Sequence, residues 1–341
     1  MIYDDKIKES IVNEFFETKI IKKNDNLIIG LSGGMDSMCL VDIFLKLKSE
    51  FDYNLYALHV NHGIRGIEAD RDQKFVAKYC KDVGIKLFVK RVDAVSFSKD
   101  NGLSLEEAAR ILRYKEFSEI RESLKNSYIL VAHHEKDLVE TIIHNMVRGT
   151  GIKGLVGIKS VQDYILRPLL YISKDEITQY VKDNSLPYVD DSTNFDKSYT
   201  RNYIREEIVD KLPSINDKSY KHIVDLSRQI KEVNDYLDAV CDYTFNYVVK
   251  DQNKDYIIID NIRFGDLNNL IKAYVIRNIF YKLIKTLKDI GSIHINDVIN
   301  MSLKEKGGHL DLPYNITLDK KKSELIFKKN NMNISMSRRK K

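Results

Sequence analysis

Between an apolar run, Leu27-Ile28-Ile29-Gly30-Leu31, and a helix-forming stretch from about Asp36 to Leu47 lies the segment Ser32-Gly33-Gly34-Met35-Asp36-Ser37. A short continuous apolar run suits a strand of a parallel sheet, which is buried on both faces. Two adjacent glycines let the backbone turn tightly and approach a ligand without a Cβ in the way. The freed N–H groups from Gly33 to Met35, the Ser32 and Ser37 hydroxyls and the helix N-terminus then make an anion cradle. The loop holds no lysine, which separates it from the Walker A loop, where GK[ST] reaches the terminal phosphates. Such a cradle suits a pyrophosphate that departs whole, and Asp36 is the candidate to hold Mg2+ beside it. An ordinary Gly-Gly turn is the plainer reading of the same residues.

The rest of the chain sets this loop in an α/β frame. A helix is expected over 7–20, strands over Leu55–Val60, Lys86–Val89 and Tyr128–Ala132, and helices over about 69–83 and 136–147. Ser104 with Glu107 three residues on has the form of a capping box opening another helix. Strands alternating with helices predict right-handed βαβ crossovers and a doubly wound parallel sheet. The chain has 341 residues, 43% of them hydrophobic, enough for two domains. Past about residue 205 the texture changes to amphipathic helices over 215–250 and 266–290. A hairpin follows from Gly308 through Phe327, turning near Lys320–Ser323. A boundary near Leu212-Pro213-Ser214 divides the chain into residues 1–212 and 213–335, with a basic tail at 336–341.

Composition excludes some classes. No apolar run approaches the ~20 residues that span a bilayer, and residues 1–10 lack a signal-peptide apolar region. Cys39, Cys80 and Cys241 are far apart and form no CxxC or Cys/His metal spacing. A reducing cytoplasm is the expected setting. The net charge of +5 is compatible with an RNA partner without requiring one.

Three further segments narrow the chemistry. His59-Val60-Asn61-His62-Gly63 closes the second strand and Ala132-His133-His134-Glu135-Lys136-Asp137 closes the fourth, both at the carboxyl edge where such sheets bind ligands. The helix between them places Arg110 and Arg113 three residues apart on one face. Two cations there suit an α-phosphate as charge builds on it. The loop resembles that of the PP-loop ATP pyrophosphatases, which split ATP into AMP and pyrophosphate and adenylate a substrate. Over residues 25–205 the chain resembles the tRNA(Ile)-lysidine synthetase family more closely. Arg148-Gly149-Thr150-Gly151, Arg167-Pro168-Leu169-Leu170, Asp190-Asp191-Ser192-Thr193-Asn194 and Arg201-Asn202-Tyr203-Ile204-Arg205 follow in the family's order. Two departures stand beside Asp137. Many members have a second Asp and a Gln there, where this chain has Lys136 and Leu138. Beside longer members this chain is short, and the resemblance leads one to expect the helical first C-terminal domain without much of the second.

That resemblance implies a two-step reaction on the wobble cytidine of the isoleucine tRNA with a CAU anticodon. ATP adenylates the oxygen on carbon 2, releasing pyrophosphate; free L-lysine then displaces AMP, and the tRNA reads AUA. It implies roles for Asp36, Arg113, His133 and Asp137 in catalysis. Asp137 and Glu140 would hold the lysine ammonium, and Arg201 and Arg205 the substrate carboxylate or RNA phosphates. Residues 213–335 would then be a tRNA-binding domain, and the assembly a monomer or homodimer. Plainer readings stay open: Glu140 as a surface acid, Arg201 and Arg205 as a solvated face, Arg110 as an ion-pair partner, His62 and His134 as caps. A tRNA 2-thiolation enzyme of the same class and a non-catalytic nucleotide- or RNA-binding protein are the rival functions. The first would generally need a CxxC pair or a cluster, and the second would release no pyrophosphate.

Overall fold

The structure is a computed structural model that describes residues 2–64, 66–189 and 200–330. It comprises two compact units, residues 1–231 and 232–341. The division falls within one long helix, nineteen residues beyond the Leu212 boundary expected from the sequence texture (231 against 212).

In the first unit α1 (Ile2–Ile11) runs on as a π-helical stretch, Val12–Glu17. The helix starts before the expected residue 7 because its first turn is charged and carries no apolar period. Ile7, Ile11 and Phe15, four residues apart, are fully buried. There follow β1 (Asn26–Gly30), α2 (Met35–Leu47), β2 (Asn54–Asn61), α3 (Ile67–Asp82), β3 (Lys86–Arg91) and α4 (Ala94–Asn101). Then come α5 (Leu105–Glu122), β4 (Ser127–Leu130), α6 (Glu135–Val147), α7 (Ile152–Leu155), β5 (Val161–Gln162), β6 (Ile165–Leu166), α8 (Lys174–Asp183), α9 (Thr200–Glu207) and α10 (Leu212–Ile215). Helix α4 was not anticipated: Asp93 caps it through the Ser96 N–H, a signal hidden in a polar stretch.

The strands form one sheet in the order β3-β2-β1-β4-β6-β5, parallel except for the β5–β6 pair. From β1 the chain builds outward through β2 and β3, then returns to add β4 on the other side. The loops after β1 and β4 therefore diverge at a topological switch point, which opens a crevice at the carboxyl ends of the strands. Apolar side chains cover both faces. Leu27, Ile29, Met38, Phe44 and Leu47 fill one, and Ile28, Leu58, Phe117 and Ile129 fill the other.

A third cluster, Leu138, Val139, Ile142, Leu170, Ile204 and Val209, packs α6 against α9. It accounts for one departure from the family pattern. Leu138 is fully buried there, against Gly157, whose φ is +65° and where a Cβ would come within 2.6 Å of the leucine side chain. The other departure, Lys136, reaches out to Asp210 at 2.5 Å.

α11 (Ser219–Val248) leads into the second unit, with β7 (Val249–Gln252), β8 (Tyr256–Asp260), α12 (Asn261–Gly265), α13 (Asn269–Ile284), α14 (Ser292–Leu303), β9 (Gly308–Leu312), β10 (Ile316–Lys321) and β11 (Glu324–Lys329). The expected terminal hairpin is β10–β11, turning at Lys322-Ser323, but it belongs to a five-stranded antiparallel sheet, β7-β8-β11-β10-β9. The hairpin of β7 and β8 escaped notice because Tyr256-Ile257-Ile258-Ile259 is a short apolar run, equally suited to strand or buried helix. This sheet buries Ile257, Ile259, Leu318, Leu325 and Phe327 against Phe264, Val275, Ile279, Phe280 and Val298. The basic residues Arg338–Lys341 lie outside the described residues.

Candidate active site

A cavity of about 1000 Å³ opens at the carboxyl ends of β1, β2 and β4. The loop after β1 forms its floor. Ser37 organises the turn: its Oγ accepts the Gly33 N–H at 3.2 Å and donates to the Gly34 carbonyl at 2.9 Å. The Ser32 Oγ lies 3.1 Å from the Ser37 Oγ and accepts the Gly34 N–H at 3.3 Å. Gly33 has φ +94°, and a Cβ there would meet Val76 and Val189, each at 3.1 Å. The Gly33 carbonyl accepts the Val189 N–H at 3.0 Å, so the loop is pinned from far along the chain. Gly34 caps α2, leaving first-turn N–H groups at Met35, Asp36 and Ser37 without intrahelical acceptors. The two hydroxyls and the helix N-terminus thus meet at one place, where the Gly33 and Gly34 N–H groups close on the Ser37 and Ser32 hydroxyls.

Asp36 is partly exposed at the cavity wall and paired with Lys174. Lys174 is a site residue that the sequence did not single out. A legible signal marks its position: Ser173 and Glu176 form a reciprocal capping box, with the Ser173 Oγ accepting the Glu176 N–H at 3.2 Å and the Glu176 carboxylate accepting the Ser173 N–H at 2.9 Å. That box fixes the start of α8 and sets Lys174 in its first turn.

The loop after β4 is held by another box. The His134 ring accepts the Lys136 N–H through Nδ1 at 3.3 Å, while the Asp137 carboxylate accepts the His134 N–H at 3.0 Å. His134 does cap α6, then, and its Nε2 sits 3.8 Å from Asp36 and 3.7 Å from Asp137, between the two carboxylates. Burial works against the charge of Asp137. The His134 and His133 rings, the His134 N–H and Arg205 outweigh burial and hold the carboxyl below its ordinary value.

His133 lines the cavity beside them. Burial, reinforced by Arg167, Arg110 and Arg113 and opposed by Asp137, lowers its pKa to about 4, so the ring is neutral near pH 7. Arg113 also lines the cavity, its Nε 3.4 Å from the His62 Nε2. Arg110 lines it as well and stacks on Tyr114, 5.1 Å from the ring centroid.

Beyond Asp137, Arg205 reaches into the cavity from α9. Its Nε donates to the Glu140 Oε2 at 2.7 Å, and its Nη2 lies 4.0 Å from Asp137. Glu140 is fully buried and does not line the cavity, whereas Arg205 and Asp137 do. Expected to meet a ligand itself, Glu140 instead stands behind Arg205, which does line the cavity. Burial lowers the Arg205 pKa, but the carboxylates of Glu140 and Asp137 more than offset it and raise the net value. Arg201 lends its backbone to α9, while its side chain and the Asp190–Asn194 motif lie outside the described residues.

These residues bring together a glycine loop at a helix N-terminus, a carboxylate–lysine pair beside it, a neutral imidazole near two arginines, and a carboxylate–arginine pair joined to the first carboxylate through His134. No group of three or more His, Cys, Asp or Glu able to hold a metal occurs among the described residues. Asp36, in the first turn beyond the loop, is a carboxylate of the kind Mg2+ takes one or two at a time with phosphate oxygens and water. No helix among the described residues is long and apolar enough to cross a membrane.

Comparisons with known proteins identify a family for the chain. A family model described as a PP-loop domain matches residues 4–212. The chain is 36% identical over 323 residues to a protein of Clostridioides difficile named tRNA(Ile)-lysidine synthase, covering 94% of this chain and 70% of that one. It is 35% identical over 325 residues to the protein of that name from Caldanaerobacter subterraneus, covering 94% and 69%. Among solved structures, a U34-tRNA thiolase from Methanococcus maripaludis aligns with a TM-score of 0.53 at 21% identity, over 67% of this chain and 79% of that one, a likeness of fold alone.

Proposed function

The chain belongs to the tRNA(Ile)-lysidine synthase family, and we propose that it joins free L-lysine to carbon 2 of the wobble cytidine of a CAU-anticodon isoleucine tRNA. As a PP-loop ligase it uses ATP. The observation that carries the finer reading is that Asp36, Arg113, His133 and Asp137, from three different segments, line the same cavity above the Ser32–Ser37 loop.

The loop holds the departing pyrophosphate through its N–H groups and hydroxyls. Asp36 would hold Mg2+, which would offset charge on the nucleotide phosphates, and Lys174 beside it adds a cation at the same place. Arg113 and the neutral His133 donate to the α-phosphate as the cytosine oxygen attacks, stabilising charge that develops there. Lysine binds beyond His134, its ammonium against Asp137 and its carboxylate against Arg205, which Glu140 holds in place. Only the neutral ε-amine is a nucleophile, and Asp137 is the nearest candidate to take its proton. Arg201 joins Arg205 in meeting carboxylate or RNA phosphate, and the second unit and basic tail contact the tRNA. A cytoplasmic setting and a monomer or homodimer complete the reading.

The thiolation alternative gains nothing from the cysteines. Cys39, Cys80 and Cys241 are all buried, and burial pushes the Cys39 thiol up and that of Cys80 to about 11, away from a reactive thiolate.

Radiolabelled lysine, ATP, Mg2+ and an unmodified CAU-anticodon isoleucine transcript test the proposal. ATP-dependent label is expected in that transcript and in neither a methionine tRNA nor a transcript with wobble uridine. Pyrophosphate release without label in the RNA would overturn the choice of lysine as nucleophile.

A further inference from the structure

Arg167 is almost completely buried, with 2% of its surface exposed, and it does not line the cavity that His133 lines. It directly follows β6, whose Leu166 pairs in register with Leu130 of β4. The two side chains therefore leave the ends of adjacent strands. The guanidinium is anchored on several sides: Nη1 donates to the Lys159 carbonyl at 2.7 Å, Nη2 to the Gln162 Oε1 at 3.4 Å, and Nε to the His133 Nδ1 at 3.1 Å. The Arg167 backbone N–H is fixed in turn on the Ser160 carbonyl at 2.8 Å.

The chemistry of that last side-chain contact is one-directional. A guanidinium has donors and no acceptor, and it keeps its proton in proteins. The imidazole nitrogen facing it must supply a lone pair, so Nδ1 carries no proton. A neutral ring then bears its single proton on Nε2. We infer that Arg167 is a positioning residue for the ligase reaction, locking His133 as the Nε2–H tautomer so that the ring can only donate toward the cavity. A ring free to exchange tautomers would present a lone pair to the negatively charged phosphate part of the time. One free to protonate would lose its contact with Arg167. The groups facing His133 are Asp137 from α6, Arg110 and Arg113 from α5, and Arg167, with Tyr114 against Arg167 and His134 adjacent. Three of these are cations, which reinforces the neutral state; Asp137 alone opposes it.

This inference rests on the proposed adenylation chemistry for its catalytic meaning, but its first test does not. Imidazole 15N spectra of the ligand-free protein should show His133 with a bare Nδ1 and a protonated Nε2 across pH 6–8. A protonated Nδ1 would overturn the assignment whatever the substrate proves to be.

The functional test uses the two amide mimics of the ring. His133→Gln places an N–H near the Nε2 position and should keep kcat for pyrophosphate release within roughly tenfold. His133→Asn places it near Nδ1, facing Arg167, and should lose about a hundredfold. In Arg167→Gln the acid limb of the pyrophosphate-release profile should move to higher pH, with KM for ATP little changed. If Asn served as well as Gln, or a folded Arg167→Gln kept the native acid limb, Arg167 would be structural only. Should Arg167→Gln fail to fold, the His133 pair and the native spectra still decide.

Discussion

Two parts of the cavity lining, the loop side and the Asp137–Arg205 side, are built in contrasting ways. The phosphate wall is a single run of sequence, Ser32 to Ser37, whose hydrogen bonds mostly close within five residues. The second is Asp137 with Arg205, the latter from a distant helix and bonded to the wholly buried Glu140 carboxylate, 65 residues earlier in the chain. The first wall presents exchangeable donors at the start of a helix, so altering it should touch chemistry more than folding. The second keeps a charge out of water, so altering it should disturb folding as well as chemistry. Chemistry and stability are thus separable at one wall and merged at the other.

The sharpest way to break that contrast is Asp36→Ala. It should abolish measurable pyrophosphate release, a loss of about a thousandfold or more, while the thermal midpoint stays near that of the unaltered protein. A parallel loss of fold would show the phosphate wall to be structural too. Next is Arg205→Ala, which leaves Glu140 buried without that cation and should cost about 3 kcal/mol in denaturant unfolding. A double change, Glu140→Leu with Arg205→Met, should recover much of this stability and none of the lysine transfer. Recovery of transfer would remove both residues from the lysine site.

Smaller effects concern protons and surface charge. The His133 pKa in the folded chain lies at about 4, below the ordinary value near 6.5. Between those two pH values the unfolded chain takes a proton that the folded chain refuses. Its contribution to stability is therefore full above pH 6.5 and is lost as pH falls toward 4. That loss is about 3 kcal/mol at most, and His133→Gln should flatten the slope. Asp137, also held below its usual value, adds a loss only at still lower pH. The smallest change expected is from Lys136→Ala, which removes a partly exposed pair with Asp210 and should cost under about 1 kcal/mol, less at high salt.

Legibility followed the same divide. The strand–loop–helix unit, the Ser104 cap and the β2 and β4 edges are local patterns, and they were open to reading because hydrophobic period and capping act over a few residues. Lys174 and Arg167 were not assigned roles, since their significance depends on which strand ends become neighbours. Glu140 was read by its place in a helix beside Asp137, where nothing announces that α9 will cover it with Arg205. The β7–β8 hairpin failed for another reason: four apolar residues in a row carry no period that distinguishes strand from helix.

The Gly33–Val189 hydrogen bond has a consequence for how the protein can be dissected. A fragment ending after α8 at Asp183 would contain the entire glycine loop and every strand of its sheet. It would still lack the backbone donor that fixes the Gly33 carbonyl and one of the side chains that crowd its α-carbon. Such a fragment would keep the motif and lose the clasp on it. The smallest portable nucleotide module is therefore longer than the part of the chain that looks like one.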